Sequence, residues 1–263
     1  MEWPGYVAIG AGVGFVAGLL GIGGGAIIVP LLVMLFEAQG FPHAHVLHLA
    51  VGTGMATIVF TSLSSMRAHA LRGAVRWDVV KGMTPGILAG GLAGSAIASH
   101  LSRFLFTVLF AVTVYAAAVN MLIDRKPSAT RTLPGLAGLF TAGAVISGVS
   151  AFAAVGGAFM SVPFMVWCNV PMLNAIGTAA AIGVPIAAAG AAGYVVTGWR
   201  EAGLPAWSAG YVYLPALAGI TVASMAVAPL GVAVAHRTPV RLLRKIFAGL
   251  FFLLATRMLV GLW

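Results

Sequence analysis

Residues 18–30 read GLLGIGGGAIIVP, and a related stretch, GVSAFAAVGGAFMSVP, occupies residues 148–163. Each copy places a glycine cluster a few residues before a proline, inside an apolar stretch (about residues 4–36 and 133–167) that is too long for one membrane crossing. Glycines open helical backbone, and lipid supplies no hydrogen-bonding partner, so such breaks occur only inside protein or against a water-filled cavity. The doubled motif predicts a broken helix in each half of a membrane protein, with a candidate substrate site at the breaks.

The composition agrees with an all-α membrane protein. Hydrophobic residues make up 61% of the chain and charged residues 7%, against about 25% charged in soluble domains. The formal charge of +9 comes from basic residues in short gaps between apolar runs. Such residues read as topology signals, so the expected partners are the lipid bilayer and a small solute, and no nucleic acid. A homo-oligomer is compatible with the sequence.

The apolar segments repeat in order. They fall at about residues 4–36, 46–66, 79–99, 103–123, 133–167, 172–197, 207–231 and 240–262. One long segment is followed by three of ordinary length, twice, and Gly52-Thr53 is matched by Gly177-Thr178. We therefore expect a single transmembrane transporter domain over residues 1–263, with repeat one at 1–123, a linker at 124–132 and repeat two at 133–263.

Positive charge predicts how the halves are oriented. Three basic clusters should be cytoplasmic: Arg67, Arg72, Arg76 and Lys81; Arg125, Lys126 and Arg131; and Arg237, Arg241, Arg244 and Lys245. Eight single crossings would separate the third cluster from the others. If the long segments are re-entrant hairpins, each half crosses three times and the second half is inverted. The sequence thus predicts two inverted repeats, each a discontinuous or re-entrant glycine-rich hairpin plus three transmembrane helices, with both termini outside; a long broken helix that crosses is the alternative.

The glycine clusters are the first candidate site residues. Half-helices that begin at such breaks point unpaired N–H groups and a positive dipole end at one place, which suits an anion. The candidates in the two clusters are Gly23, Gly24, Gly25, Gly156 and Gly157. The alternative is that the glycines only let helices pack closely.

Hydroxyl and amide side chains complete the predicted substrate site. The candidates are Thr53, Thr57, Ser150, Asn174 and Thr178. Ser and Thr in membrane helices often bond their own preceding carbonyl instead, and that reading is the stronger one for Thr57. Ser147 and Ser161 also flank the second glycine cluster, where the first has Ala17 and Ile28.

Titrating groups are scarce in the apolar segments. All five carboxylates fall at segment ends or in loops, so an acidic proton relay or sodium cage is not expected. His48 and His69, at opposite ends of the second segment, could gate or take up protons. Arg67 and Arg72 could concentrate anions at a cytoplasmic mouth. Neither a metal site, for which His43, His45 and His48 lack further ligands, nor a cofactor is expected.

These motifs resemble a known family. The chain contains G-x-x-x-G-x-x-G-x-G-G-G-x-x-x-x-P at residues 14–30, A-x-G-T at 50–53 and R-A-H-A-L-R-G-x-V-x-W at 67–77, with degenerate echoes in the second half. The chain resembles the TauE/SafE family of sulfite and organosulfonate exporters over nearly its whole length. The resemblance implies a prokaryotic inner-membrane carrier that exports sulfite, sulfoacetate or a related organosulfonate. In the second motif, Ala158 stands where the family often has a third glycine.

Other functions remain open at this point. A proton-coupled importer of a small organic anion is the main rival within transport. Gly148-Val-Ser150 is similar to the G-x-S core of intramembrane serine proteases, but that chemistry needs a histidine at membrane depth to accept the serine proton, so no enzyme activity is expected. A scaffold whose glycines serve only packing is a third reading.

Overall fold

The computed structural model describes residues 3–20, 25–123, 131–154, 157–235 and 240–261. Ten helices lie in these residues, together with one short antiparallel hairpin of β1 (Ser208–Ala209) and β2 (Val212–Tyr213). The helices are α1 (Trp3–Leu20), α2 (Gly25–Ala38), α3 (Val46–Ala70), α4 (Trp77–Ser99), α5 (Arg103–Ile123), α6 (Leu136–Ala153), α7 (Ala158–Trp167), α8 (Met172–Gly198), α9 (Leu214–Ala235) and α10 (Val240–Val260). The prediction of an all-α membrane protein is confirmed.

Each long apolar segment contains two helices. The first holds α1 and α2, and the second holds α6 and α7. At 1.5 Å per residue, the 14-residue α2 is about 21 Å long and the 10-residue α7 about 15 Å. Neither can cross a hydrocarbon core of about 30 Å alone.

Five helices in the described part of the chain are long and apolar enough to span a membrane. These are α3, α5, α6, α8 and residues 214–231 of α9. The helices pack into one body, in which α1 lies along α9, α4 along α6, α3 along α8 and α5 along α10.

Glycines allow two of these helix pairs to approach closely. On α4, glycines recur every fourth residue (82, 86, 90 and 94) and face α6, so that a side chain at Gly86 would collide with the carbonyl of Phe140. On α1, Gly10 and Gly14 face Ile220 and Ser224 of α9 in the same way. Small residues at four-residue spacing are a standard means of packing transmembrane helices, so many of the chain's glycines serve packing alone.

Both broken segments fold back on themselves. The Tyr6 hydroxyl, near the start of α1, donates to Oε1 of Gln39 at 2.6 Å, just after the end of α2. The Arg131 N–H, ahead of α6, donates to the carbonyl of Trp167 at 3.2 Å, at the end of α7. The far ends of each helix pair therefore lie together, and we call α1–α2 the first hairpin and α6–α7 the second hairpin.

Candidate functional site

The two hairpins meet at their tips. Gly25 is the first residue of α2, and a side chain on it would collide with the carbonyl oxygen of Ala154, the residue that follows α6. It would also lie 2.5 Å from Cδ1 of Ile58 on α3. Gly54, one turn earlier on α3, faces Val29 and Ala154. The glycine therefore makes possible a direct backbone contact between the two repeated motifs.

The backbone of the second tip adopts an uncommon conformation. Ala154 has φ 48° and ψ 29°, and Gly157, which caps α7, has φ 69°. A non-glycine residue in this left-handed region costs on the order of 1 kcal/mol or more, and such strain is concentrated at functional sites. Gly157 also lies against Ile186, Ile146 and the hydroxyl of Ser150.

The start of α7 follows shortly after this contact in the chain. Ala154 touches Gly25 and precedes Ala158 by four residues, a chain distance of at most about 14 Å. In α7 the N–H groups of Met160 and Ser161 donate to the carbonyl of Gly157 at 3.1 and 2.9 Å. Within the described residues, the N–H groups of Ala158 and Phe159 have no acceptor. The start of α7 thus offers unpaired donors and a positive dipole end within about 14 Å of the residue that Gly25 touches.

Two buried serines of the second hairpin have unused hydroxyls. Ser161, in the first turn of α7, and Ser147, on α6, are both fully buried, and neither Oγ has a hydrogen-bond partner within the described part of the chain. A buried hydroxyl without a partner normally costs about 1–3 kcal/mol. The sequence placed both serines beside the second motif, but it did not distinguish Ser161 from the predicted ligand Ser150.

Ser150 and Thr57 bond within their own helices. The Ser150 hydroxyl donates to the carbonyl of Ile146 at 2.7 Å, and that of Thr57 to the carbonyl of Thr53 at 2.9 Å. This is the alternative that the sequence favoured for Thr57. Among the described residues, no histidine forms a hydrogen bond with Ser150.

The matched threonines lie far apart. The Thr53 hydroxyl accepts the N–H of Tyr213 at 2.9 Å, and the Thr178 hydroxyl accepts the N–H of Arg76 at 2.9 Å. Gly52 packs against Tyr194 of the antiparallel α8. Thr178 precedes Tyr194 by sixteen residues of that helix, which corresponds to about 24 Å. The structure therefore does not bring Thr53 and Thr178 to one small ligand.

The remaining predicted residues lie near the ends of helices. Asn174 is in the first turn of α8, where its Nδ2 lies 3.4 Å from the carbonyl of Ala74. Arg67 and Arg72 are exposed at the end of α3, and His69 between them is half-buried. Gly23, Gly24 and Gly156 lie outside the described residues.

His48 is buried, where an interfacial histidine would more often be solvated. It is 4% exposed, and its ring packs between Phe106 and Tyr211 with centroid distances of 4.9 and 5.0 Å. Its Nε2 lies 3.1 Å from the carbonyl of Ala98, and its Nδ1 has no partner among the described residues. Burial follows from the tertiary packing of α5 and of the β1–β2 turn, which hydropathy along α3 does not reveal.

Tyr194 makes a hydrogen bond near the second tip that the sequence did not predict. It is fully buried on α8, and its hydroxyl donates to the carbonyl of Ala151 at 2.8 Å, one turn before the second tip. The sequence offered one signal, a tyrosine within an apolar run. A buried tyrosine hydroxyl usually finds a hydrogen-bond partner, so such a residue indicates a contact with another part of the chain.

A cavity of about 430 Å³ lies away from the tips. Arg131, Thr132, Pro134, Phe164, Trp167 and Cys168 line it. The Arg131 guanidinium stacks 4.4 Å from the centre of the Trp167 ring. Since α7 separates this cavity from Gly157, it is not the meeting point of the tips. No group of three His, Cys, Asp or Glu side chains in the described ranges could hold a metal ion.

The comparisons with known proteins concern nearly the whole chain. Residues 6–258 match the family described as sulfite exporter TauE/SafE. A probable membrane transporter protein of Haemophilus influenzae is 34% identical over 252 residues, covering 95% of both chains. The probable membrane transporter protein YdhB of Bacillus subtilis is 24% identical over 201 residues, covering 72% of this chain and 77% of that protein.

The similarity extends to archaea. The probable membrane transporter protein MJ0441 of Methanocaldococcus jannaschii is 23% identical over 216 residues, which cover 81% of this chain and 78% of that protein. No solved structure shows a significant match. Given the match over residues 6–258 and five helices that are long and apolar enough to cross a membrane, the chain belongs to the TauE/SafE family and is a multi-pass membrane transporter.

Proposed function

We propose that this transporter exports a small sulfur-containing anion, such as sulfite, sulfoacetate or a related organosulfonate, by alternating access. The contact between Gly25 and the Ala154 carbonyl carries the proposal, because it places the start of α2 in the interior of the helical body against Ala154, four residues before α7 begins. Transporters commonly bind substrates between such discontinuous helices near the bilayer midplane.

The chemistry at the tips favours an anion over a cation. The α7 start presents the N–H groups of Ala158 and Phe159, and the Ser161 hydroxyl can donate beside them. The described carboxylates lie elsewhere: Glu37 near the end of α2, Asp78 in the first turn of α4 and Glu201 after α8. Gly25, Gly157 and Ser161 form the proposed site, to which Gly23, Gly24 and Gly156 belong by sequence. Ser150 lies beside Gly157, but its hydroxyl is bonded to the carbonyl of Ile146. The other predicted residues lie outside this proposed site: Thr53, Thr57, Asn174 and Thr178.

The two hairpins are proposed to enter from opposite membrane faces, as an inverted repeat. Supporting this, the first hairpin has its open end beside Tyr213, whose ring centroid lies 6.1 Å from that of Tyr6. The second hairpin has its open end beside the chain preceding α4, where Leu133 packs in one cluster with Val75 and Val170. These two ends correspond to opposite ends of the antiparallel α3–α8 pair.

Charge orients the proposed carrier in a prokaryotic inner membrane. Arg67, Arg72 and Arg76 lie at the Thr178 end of α8, which supports the proposal that this end is cytoplasmic. Arg67 and Arg72 are exposed there and would raise the local anion concentration. Both termini are then outside. His48 lies at the other end of α3, where its ring packs between Phe106 and Tyr211.

The membrane potential would drive the anion outward through such a carrier. A potential negative inside favours anion exit by about 2.3 kcal/mol per charge per 100 mV, which is about fiftyfold in concentration. Export of an anion therefore needs no coupled ion.

Purified protein in vesicles tests the proposal. The vesicles are loaded with sulfite or sulfoacetate, and the potential is set by a potassium gradient with an ionophore. We expect efflux that accelerates as the interior is made more negative and that is absent in protein-free vesicles. Accumulation of external label, driven by a proton gradient and insensitive to potential, would identify an importer instead. No movement of any tested anion, with folded protein, would overturn the proposal.

A further inference from the structure

Thr53 and Thr178 take part in two nearly identical interactions at opposite ends of the α3–α8 pair. In each, a threonine hydroxyl accepts the N–H of the residue directly before a helix: Tyr213 before α9, and Arg76 before α4. Both threonines are fully buried. In this interaction each hydroxyl bonds a group outside its own helix. The hydroxyls of Thr57 and Thr197, in contrast, donate to carbonyls of their own helices.

The preceding glycines make the same approach possible at both ends. A side chain at Gly52 would collide with the carbonyl of Tyr211, and a Cβ at Gly177 would lie 2.6 Å from the carbonyl of Ala74. Tyr211 lies two residues before Tyr213, and Ala74 lies two residues before Arg76. We call Gly52, Thr53, Tyr211 and Tyr213 the Thr53 clamp, and Ala74, Arg76, Gly177 and Thr178 the Thr178 clamp.

Each clamp joins the two halves of the sequence, and the helix whose start it holds packs along one helix of a hairpin. The Thr53 clamp ties α3 to the start of α9, which packs along α1 of the first hairpin. The Thr178 clamp ties α8 to the start of α4, which packs along α6 of the second hairpin. Because a buried N–H is costly to leave without an acceptor, breaking either hydrogen bond would require water to take the threonine's place.

We infer that the repeated A-x-G-T sequence forms the two gates of the transport cycle, in which the Thr53 clamp and the Thr178 clamp open alternately to the two membrane faces. Both clamps are closed in this structure, which corresponds to an occluded state. Thr53 and Thr178 are thereby positioning residues, which control access to the hairpin tips without touching the substrate. The inference rests on the alternating access of the proposed function, and it does not depend on which anion is transported.

Thiol labelling from each side of the membrane tests the inference. The background variant is Cys168→Ser, since Cys168 is the only cysteine of the chain. Ala56→Cys and Ala181→Cys, made separately, place reporters one turn deeper than each threonine at two buried alanines, which are 7% and 1% exposed. Labelling with a small membrane-impermeant thiosulfonate is measured without substrate.

The two clamps should respond in opposite directions. Thr53→Val keeps the shape of the side chain and removes the acceptor, and it should speed labelling of the Ala56→Cys thiol from its own face about tenfold. The same variant should leave labelling of the Ala181→Cys thiol unchanged or slower. Thr178→Val should do the reverse. A tenfold shift corresponds to about 1.4 kcal/mol.

Three controls separate a gate from general loosening. Thr53→Ser and Thr178→Ser retain the acceptor and should label as the background does. Thr197→Val removes a hydroxyl that bonds within α8, at 2.8 Å from the carbonyl of Gly193, and should change neither reporter. Arg76→Pro removes the donated N–H itself and should reproduce Thr178→Val, whereas Arg76→Ala keeps the N–H and should not.

Two outcomes would overturn the inference. One is that Thr53→Val and Thr178→Val change both reporters in the same direction, and the other is that neither changes any. If either result were found while sulfite efflux persisted, the gates would be wrong and the proposed function would stand. If the opposite responses appeared without sulfite efflux, the gates would stand and the substrate would be wrong. Should the valine variants not fold, Arg76→Pro against Arg76→Ala decides the question.

Discussion

Gly25 lies directly against the carbonyl of Ala154, so the first residue of α2 touches the last turn-forming residue after α6. This contact joins two motifs that are about 130 residues apart in the sequence. It also accounts for a glycine at this position by a physical cause, since any Cβ would occupy the position of the carbonyl oxygen.

Gly25→Ala should abolish transport. The added methyl group must push the two tips apart, and the donors at the starts of α2 and α7 then no longer face one ligand. The measurement is sulfite efflux from vesicles, with size-exclusion chromatography to show that the protein is folded. Gly12→Ala is the matched control in the same hairpin, because nothing lies within 4 Å of a Cβ at Gly12. Wild-type efflux by Gly25→Ala would exclude the tips as the substrate site.

Ser161→Ala should weaken substrate binding while leaving the fold intact or more stable. The Ser161 hydroxyl is buried without a partner in the described structure, so its removal relieves a desolvation cost of about 1 kcal/mol. We expect the KM for sulfite efflux to rise about tenfold and thermal stability to hold or increase. Ser99→Ala, which removes a hydroxyl bonded to the Ala96 carbonyl at 2.8 Å, is the control for KM. A lower thermal stability together with an unchanged KM would mean that Ser161 is structural.

Reporter cysteines should place both ends of the second hairpin on one membrane face. In a Cys168→Ser background, Thr132→Cys before α6 and Leu173→Cys at the start of α8 are both exposed positions. If α6 and α7 form a re-entrant hairpin, impermeant maleimide labels both from the cytoplasmic side, together with Leu71→Cys. Ala202→Cys should label from outside. Labelling of positions 132 and 173 from opposite sides would show that the second segment crosses.

The reactivity of Cys168 should depend on pH in a way that reports its burial. Burial raises the pKa of the Cys168 thiol, and the charge of Arg131 partly lowers it. The thiolate is the reactive form, so maleimide labelling at neutral pH should be slower than for a free cysteine and should increase until the pH passes the raised pKa. Arg131→Gln should move this profile to higher pH. An unchanged profile would show that Arg131 does not act on the thiol.

Local sequence patterns located most of the helices, but the apolar segment predicted at residues 207–231 begins with β1 and β2, and its helix starts only at Leu214. The apolar run at residues 46–66 lies within α3, and that at 103–123 coincides with α5. The glycine clusters correctly divided both long segments, because glycine and the lack of lipid hydrogen bonds act on neighbouring residues only. The prediction that residues 50–53 and 175–178 correspond is matched by equivalent hydrogen bonds of Thr53 and Thr178.

The ligands within the motifs could not be chosen from the sequence. Ser150 and Ser161 have the same chemistry and flank Gly157 on its two sides, yet the Ser150 hydroxyl is bonded to the carbonyl of Ile146 and the Ser161 hydroxyl has no partner in the described residues. The two matched threonines suggested one shared site because they occur in equivalent positions. Equivalent positions in an antiparallel helix pair lie on opposite sides of its centre, which is why they are far apart.

The sequence by itself determined the membrane class, the helical segments, the break in each long segment and the family, since hydropathy, glycine content and motif order are properties of consecutive residues. Only the tertiary structure decided that the tips meet at Gly25 and Ala154, that His48 is buried between two rings, and that Thr53 and Thr178 bind the chain ahead of α9 and α4. The physical reason is that these contacts depend on which helices pack side by side and in which direction. That choice is made by close packing and by satisfying buried backbone groups over the whole helical body.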